Sequence, residues 1–137
     1  MYKLIDGKAH SRALRQEIAE GVAQYKKNYG KDIGLAVVLI GDDGASHVYV
    51  RNKIKGCGED GIKSYAYYLP ADTTQSQAEE LVGGLAADPA IHGILVQLPL
   101  PAGLDAQKIL SLIPVEKDVD GFSESNIGNL CLNNNCL

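Results

Sequence analysis

Residues 33–40 read IGLAVVLI, a nearly continuous apolar run whose branched side chains favour an extended strand. Two further runs of this kind follow, IKSYAYYL at 62–69 and IHGILVQL at 91–98. The run at 91–98 is also almost continuous, which is typical of a strand covered on both faces. The run at 62–69 alternates more and favours a position nearer the edge of a sheet. Together these runs predict three strands.

Helical patterns lie before and between the predicted strands. Before the first strand, apolar residues recur at spacings of three and four, and Gly30 is placed to end the helix. The same spacing recurs over residues 45–60 and 74–87, and a shorter helix is predicted over residues 105–112. The apolar stripes consist of Leu14, Ile18, Val22, Tyr25 and Tyr29, of Val50, Ile54 and Cys57, and of Ala78, Leu81, Val82 and Leu85. This alternation predicts an α/β fold, a three-layer domain with a small parallel sheet flanked by helices.

The composition excludes several classes of protein. The chain has 137 residues, 13 of them basic and 17 acidic, and a net charge of −4. No cluster of Lys and Arg forms the basic stripe expected of a nucleic-acid-binding domain. No apolar run approaches the roughly 18–20 residues of a membrane span, and the opening MYKLIDGKAHSR lacks the apolar stretch of a signal peptide. We therefore expect a single soluble, cytoplasmic domain with no nucleic-acid or membrane partner.

The cysteines and histidines do not predict a metal site. Three cysteines without a C-x-x-C pair are too few for a disulfide framework or a zinc knuckle, and the three histidines lack H-x-x-H or H-E-x-x-H spacing. These residues are Cys57, Cys131, Cys136, His10, His47 and His92. We expect reduced thiols, ordinary histidines and no bound metal.

The end of the chain differs in composition from the rest. From Ser123 it reads SESNIGNLCLNNNCL, which is rich in Asn and Ser and shows neither a capped helix nor a charged tail. The pattern predicts one domain over residues 1–121. Residues 122–137 are predicted to be a linker cut just after the domain boundary.

The segment GDDGASHVYVRNK, residues 41–53, follows the first predicted strand. A glycine-containing loop before a helix can cradle a phosphate on the helix N-terminus. Asp42 and Asp43 would repel a phosphate, however, and their carboxylates are better suited to capping the helix at the positive end of its dipole. Capping is therefore the preferred interpretation of this loop.

Three polar residues share one face of the predicted helix. Ser46, Tyr49 and Lys53 are spaced i, i+3 and i+7, beside the apolar stripe. A lysine partly removed from water exchanges protons near neutral pH, because desolvation disfavours its charged form. Such a face can line a catalytic cleft. From spacing alone, an amphipathic surface helix with its lysine stem lying along the surface is the favoured interpretation.

Further polar positions follow the third predicted strand. Gln97 lies at its carboxyl end, where open parallel sheets bind ligands, and a buried amide there either satisfies backbone groups or faces the site. The string PVEKDVDGF at 114–122 contains Asp118 and Asp120. They are either ordinary turn residues before a glycine or carboxylates that accept paired N–H bonds from a planar ligand edge. The spacing leaves both alternatives open.

Three segments together are much more specific than any one alone: GDDGASHVYVRNKIKGCGEDGI at 41–62, GILVQLPLP at 93–101 and PVEKDVDGFSESNIG at 114–128. In this order and with these gaps, the chain resembles the bifunctional methylenetetrahydrofolate dehydrogenase/methenyltetrahydrofolate cyclohydrolase family over essentially its whole length. The strings VQLPLP and KDVDGF are the most specific parts of the resemblance.

The resemblance implies an enzyme of one-carbon metabolism and purine biosynthesis. Such an enzyme oxidises methylenetetrahydrofolate with NADP and hydrolyses methenyltetrahydrofolate to formyltetrahydrofolate. By motif position, Lys53 is implied to be the acid–base residue of the cyclohydrolase step. Tyr49 is implied to stack on the folate and orient Lys53, and Gln97 to hydrogen-bond and tune Lys53. Asp120 is implied to bind the edge of the pterin ring, and Ser46 to lie near the substrate.

The resemblance also implies that the NADP-binding part of the family has no counterpart in this chain. Family members are roughly twice as long, and the half without a counterpart here is the Rossmann-type domain that binds NADP. We therefore expect no NADP site and no dehydrogenase activity in this chain, and a homodimer for the full-length protein. Gly44 stands where the family usually has Pro. Gly56 and Gly58 each weaken the helix they lie on by about 1 kcal/mol relative to Ala.

Two other functions stay open beside the catalytic one. The first is a non-catalytic folate-binding module, since a site without its covering domain can bind without turning over. The second is a generic Rossmann-like ligand-binding domain in which the motifs are fortuitous.

Overall fold

Residues 5–134 are described by the computed structural model, and helices and strands alternate along them. In chain order the elements are α1 (Gly7–Tyr29), β1 (Gly34–Ile40), α2 (Gly44–Glu59), β2 (Lys63–Leu69), α3 (Gln75–Ala87), β3 (Gly93–Val96), α4 (Ala106–Leu110), a 3₁₀ turn (Val115–Lys117) and α5 (Glu124–Cys131). Cys136 lies outside the described residues. Within residues 5–134, none of the helices combines the length and the apolar character needed to cross a membrane.

The three strands form one parallel sheet in the order β2-β1-β3. Parallel strands need a connection that crosses a face of the sheet, and here α2 joins β1 to β2 while α3 joins β2 to β3. The chain first moves to one edge and then returns across β1, so two right-handed crossovers place these helices on opposite faces. The predicted α/β fold with three layers is confirmed, and β2 lies at an edge as its alternation indicates.

Strand β1 is buried between two apolar cores. One face packs against α3 and α4, and the other packs against α2. The first core contains Ala36, Val38, Ile40, Ala78, Val82, Leu85, Ile91, Ile94, Val96, Ile109 and Ile113, and the second contains Val37, Leu39, Val50 and Leu95. Successive β1 side chains enter opposite cores, which explains why the strand is apolar without interruption.

The third strand is shorter than the sequence predicts. Residues 91–98 are expected to be extended, but β3 has only four residues, Gly93–Val96. The backbone N–H of Gln97 still donates to the Val38 carbonyl at 2.8 Å. The prolines that follow have no N–H with which to continue the ladder. Gln97 therefore lies just past the carboxyl end of the strand.

Helix α1 meets the rest of the domain along a narrow contact. Val22 is the one residue of this helix that is buried, whereas Leu14 is 48% exposed. Arg15 anchors the helix to the end of α2, donating to both carboxylate oxygens of Asp60 and to the Gly56 carbonyl oxygen. The apolar stripe thus predicts the helix correctly, but much of the stripe faces solvent.

The expectation that the end of the chain has no capped helix is wrong. Residues Glu124–Cys131 form α5, and the hydroxyl of Ser123 caps this helix by accepting the backbone N–H of Asn126 at 3.2 Å. A serine followed by an acidic residue is a helix-start signal that the abundance of Asn and Ser obscured. The domain boundary after residue 121 stays a prediction.

Replacing Gly44 by Pro is expected to stabilise the fold by about 0.4–1 kcal/mol, because proline restricts the unfolded chain and suits the first position of a helix. The preceding Asp43 has a ψ of 118°, already in the extended region that a following proline requires. Nothing lies within 4 Å of a Cβ placed on Gly44. Urea unfolding monitored by circular dichroism measures the change.

Gly58→Pro, in the same helix, is the matched control. Here proline would remove an intrahelical hydrogen bond, and we expect a loss of about 3 kcal/mol. A comparable loss in Gly44→Pro would contradict the geometry assigned to the start of α2.

Candidate active site

Helix α2 carries Lys53 toward the end of the sheet. The helix lies on one face of the sheet, with Val50 fully buried beneath it. Side chains on a helix lean toward its N-terminus, so Lys53 points back toward the carboxyl ends of the strands. Lys53 is half-buried, and its Nζ donates to Oε1 of Gln97 at 3.3 Å. One hydrogen bond therefore joins a residue of α2 to a residue just past the carboxyl end of β3.

The side-chain amide of Gln97 is held in one orientation. Its Nε2 donates to the Leu98 carbonyl oxygen at 2.7 Å. With the NH₂ group directed at that carbonyl, Oε1 is the atom that faces Lys53. The first alternative left open by the sequence is confirmed, since Gln97 satisfies a backbone group. Gln97 also faces the candidate lysine, and its place in a ligand site stays a prediction. An amide oxygen can accept from either a neutral or a protonated amine, more strongly from the protonated one.

Asp120 joins this pair from the loop that precedes α5. Asp118 pairs with Ile94 in an isolated parallel bridge, which places the loop beside β3. Asp120, two residues later, lies at the surface, yet the surrounding protein displaces water from its carboxylate, and this desolvation raises its pKa. The positive charge of Lys53 opposes that rise in pKa, and the negative charge of Asp118 adds to it. Lys53 and Asp120 are therefore close enough to interact electrostatically.

Tyr49 lies one helical turn before Lys53 on α2. It is 60% exposed. An exposed aromatic ring of this kind offers a face on which a flat ligand can stack. The structure thus leaves Tyr49 accessible beside the lysine, as its assigned role requires, and that role stays a prediction.

Ser46 is directed toward the start of α2. It is only 2% exposed, and its backbone N–H and its hydroxyl both donate to Oδ2 of Asp43 at 2.7 Å. The hydroxyl donor and the backbone donor together lower the pKa of Asp43. Asp43 caps the helix, as the loop sequence predicts. The hydroxyl of Ser46 belongs to that cap, and its proximity to the substrate stays a prediction.

The sequence pattern predicts no role for Asn126 and leaves that of Asp118 open. Asp118 is 5% exposed and its carboxylate accepts the backbone N–H groups of Phe122 and Ser123. The same carboxylate accepts Nδ2 of Asn126, which is 4% exposed. The turn interpretation of Asp118 is therefore confirmed. An aspartate at the first position of a turn was a usable signal, but the partner in α5 required a helix that the sequence analysis did not expect.

One segment of the chain has the glycine spacing of a dinucleotide-binding motif but does not lie between a strand and a helix N-terminus. Residues 56–61 read GCGEDG, which has the spacing G-x-G-x-x-G. In a nucleotide loop such glycines lead from a strand into a helix N-terminus, whereas these lie at the end of α2 and lead into β2. A helix C-terminus presents carbonyl groups and negative potential, and Glu59 and Asp60 add two carboxylates. These residues do not fit the pyrophosphate of NADP.

The sequence matches one described protein family over most of its length. Residues 5–120 match "Tetrahydrofolate dehydrogenase/cyclohydrolase, catalytic domain". The chain is 52% identical over 129 residues to "Bifunctional protein FolD" of Oleidesulfovibrio alaskensis, an alignment that covers 94% of this chain and 45% of that protein. The chain thus spans about half the length of the curated relatives it matches.

Solved structures resemble the fold equally closely. The bifunctional enzyme FolD, methylenetetrahydrofolate dehydrogenase/cyclohydrolase, of Campylobacter jejuni is 45% identical with a TM-score of 0.90, covering 96% of this chain and 46% of that one. The FolD enzyme of Trypanosoma brucei, solved with NADP cofactor and inhibitor, is 37% identical with a TM-score of 0.91. The match covers 98% of this chain and 46% of the chain of that enzyme.

Replacing Lys53 by Met is expected to raise the pKa of Asp120 further above its ordinary value, because the substitution removes the positive charge that now opposes the rise. Carbon-13 NMR titration of the Asp120 carboxyl measures this pKa directly. Arg51→Met removes a charge from the same helix, two residues away, at a position that borders His47 and Tyr68 instead. An Asp120 pKa that is unchanged in Lys53→Met, or raised as much in Arg51→Met, would contradict the proximity of Lys53 and Asp120.

Proposed function

The chain belongs to the tetrahydrofolate dehydrogenase/cyclohydrolase family, and from that membership we propose that it carries the folate site and the cyclohydrolase residues of a longer bifunctional enzyme. The reaction assigned to these residues is the hydrolysis of methenyltetrahydrofolate to formyltetrahydrofolate. The observation that supports it best is the hydrogen bond between Lys53 and Gln97 past the end of β3, with the carboxylate of Asp120 close by.

For this hydrolysis the protein mainly has to orient a water molecule and transfer protons. The methenyl carbon is bonded to two nitrogens that share a positive charge, so it is already electrophilic. Water adds its oxygen to this carbon, one carbon–nitrogen bond breaks with its electron pair going to nitrogen, and one proton is released overall. Orientation of the water and transfer of its proton are therefore the steps that a positioned side chain can accelerate.

Lys53 is assigned this proton exchange. Lys53 is only half-buried, and Gln97 holds its Nζ past the carboxyl end of β3 through Oε1. A neutral amine accepts the proton of the attacking water, and the resulting ammonium can return it to the departing nitrogen. The bond from Gln97 to the Leu98 carbonyl prevents the amide from turning away as Lys53 changes its charge.

The substrate is held by groups on either side of Lys53. The carboxylate of Asp120 offers two acceptor oxygens to the parallel N–H groups along one edge of the pterin ring. The exposed ring of Tyr49 offers a stacking surface for the flat part of the folate. In this proposal the methenyl carbon lies near Lys53, which forms the site together with Asp120 and Tyr49.

Oxidation of methylenetetrahydrofolate, with NADP as the hydride acceptor, is assigned to the full-length protein. Its second half is proposed to hold the NADP, since the segment 56–61 does not fit a dinucleotide and the matched relatives are about twice as long. From the family resemblance, we also propose that the full-length protein is a cytoplasmic homodimer. Its formyltetrahydrofolate is proposed to serve purine biosynthesis, without contact to nucleic acid or membrane.

A non-catalytic folate-binding role is the second candidate. It is favoured by the openness of the site, in which Tyr49 and Asp120 both face solvent. An open site binds a flat ligand but excludes water poorly, and water exclusion is one way in which enzymes strengthen electrostatic interactions during catalysis.

Lys53→Met is expected to abolish the catalysed hydrolysis of methenyltetrahydrofolate, because methionine cannot exchange protons. After subtraction of the uncatalysed rate, the rate should fall by roughly 100-fold or more. The measurement is the decrease in substrate absorbance without NADP, corrected for the uncatalysed reaction. Lys55→Met is the matched control, since Lys55 is on the same helix, its side chain is 76% exposed and its ion-pair partner Glu59 lies outside the site.

The outcomes separate the two candidates. Hydrolysis by the unsubstituted chain and by Lys55→Met, but not by Lys53→Met, supports the catalytic role. Hydrolysis that survives in Lys53→Met refutes the role of that lysine. Saturable folate binding without hydrolysis in any of the three proteins favours the non-catalytic module instead.

A further inference from the structure

We propose that Asp118 is a positioning residue, which fixes the turn that presents Asp120 to the substrate and ties this turn to the first turn of α5. The proposal rests on the proposed function insofar as Asp120 binds the pterin edge. The role of Asp118 is distinct, because the residue is 5% exposed and its carboxylate is bonded to groups of the protein rather than left for a ligand.

Asp118 closes the turn from both its backbone and its side chain. Its carbonyl oxygen accepts the N–H of Gly121 at 3.3 Å, which makes Asp120 the third residue of a β-turn. Its Oδ1 accepts the N–H of Phe122 at 3.2 Å, and its Oδ2 accepts the N–H of Ser123 at 2.7 Å. Gly121 has a φ of +69°, which a glycine adopts without strain. Asp120 thus lies inside a loop that a single residue holds at both ends.

The same carboxylate is fastened to α5. Nδ2 of Asn126, itself 4% exposed, donates to Oδ2 of Asp118 at 3.0 Å. The backbone N–H of Asn126 donates to the Ser123 hydroxyl, which caps the helix. The beginning of α5 and the turn that carries Asp120 therefore share one set of hydrogen bonds, and neither can shift without breaking bonds to the other.

On its other side, the turn is fixed to the sheet and to α3. Asp118 pairs with Ile94 of β3, and Val119 packs so closely over Gly93 that a Cβ there would lie 2.5 Å from Cγ1 of Val119. Nζ of Lys117 donates to two carbonyl oxygens at the end of α3, each at 2.8 Å. The turn is thereby held over the strand whose next residues lead to Gln97. Asp118 therefore connects the contacts with β3 and α3 to the hydrogen bond with α5.

A carboxylate suits this position better than an amide does. An ionised aspartate has two acceptor oxygens and no donor, so it can take all three N–H groups, whereas asparagine would turn an NH₂ group toward at least one of them. Burial alone would raise the pKa of Asp118, but the donors from Ser123, Asn126 and Phe122 outweigh burial and lower it. The residue is therefore ionised at neutral pH.

The test measures the dissociation constant of methenyltetrahydrofolate for the chain and for Asp118→Asn, Asp120→Asn and the double variant. We expect Asp118→Asn to weaken binding by roughly tenfold, the effect of losing hydrogen bonds to a charged group. In the Asp120→Asn background the same substitution should change affinity by less than about twofold, because its effect passes through Asp120. A purely structural role would instead weaken binding equally in both backgrounds, and that outcome overturns the proposal.

Amide hydrogen exchange supplies a readout that needs no folate. In Asp118→Asn the N–H groups of Gly121, Phe122 and Ser123 should exchange faster, and unchanged exchange overturns the proposal. Asp105→Asn makes the same chemical change at the residue that caps α4 and should alter neither affinity nor exchange in the turn. Asn126→Ala, which keeps the carboxylate, should show the same changes to a smaller extent and replaces Asp118→Asn if that variant does not fold.

The two readouts separate the proposal from the function on which it rests. If the unsubstituted chain does not bind methenyltetrahydrofolate, the proposed function fails, while exchange in the turn still decides whether Asp118 holds it. If the chain binds folate but Asp118→Asn leaves its affinity unchanged, the function stands and the positioning role is refuted.

Discussion

The parallel direction of the three strands is the constraint on which the rest of this structure depends. Parallel neighbours cannot be joined by a tight turn, so each connection must cross a face of the sheet, and α2 and α3 are those crossings. All three carboxyl ends then lie at one edge. Lys53 and Gln97 are 44 positions apart in the sequence, and they meet because one lies on a crossing and the other just past a strand end.

The same constraint separates apolar packing from chemistry. Strand β1 has both faces covered, so a charged side chain within it would be buried without a partner, at a cost of several kcal/mol. Polar groups are tolerated at the edge, where loops and helix ends supply hydrogen-bond partners. Asp43 and Ser46 stabilise the start of α2 in this way, while Lys53 and Gln97 are hydrogen-bonded to each other. The apolar core therefore positions the site without entering it.

The sequence predicted the features that follow from local patterns. The strands, the crossing helices and the capping role of Asp43 all reflect periodicity or a single cap. Three features were missed. The exposure of α1 depends on contacts between distant segments. The early end of β3 at its prolines and the burial of Ser46 in the cap of Asp43 are local, but the apolar run and the helical spacing obscured them. Helix α5 is a further case, because its Ser123 signal was also local but was outweighed by composition.

The string DVD shows why residue type alone could not assign the site. Asp118 and Asp120 are chemically identical and two positions apart. Burial of the first would raise its pKa, but its N–H donors outweigh burial and lower it, while desolvation without such donors raises the pKa of the second. One carboxylate is therefore satisfied within the protein, and the other lies at the surface. A turn that presents an exposed carboxylate needs both kinds, since the exposed group can be held in place only by bonds that it does not itself make.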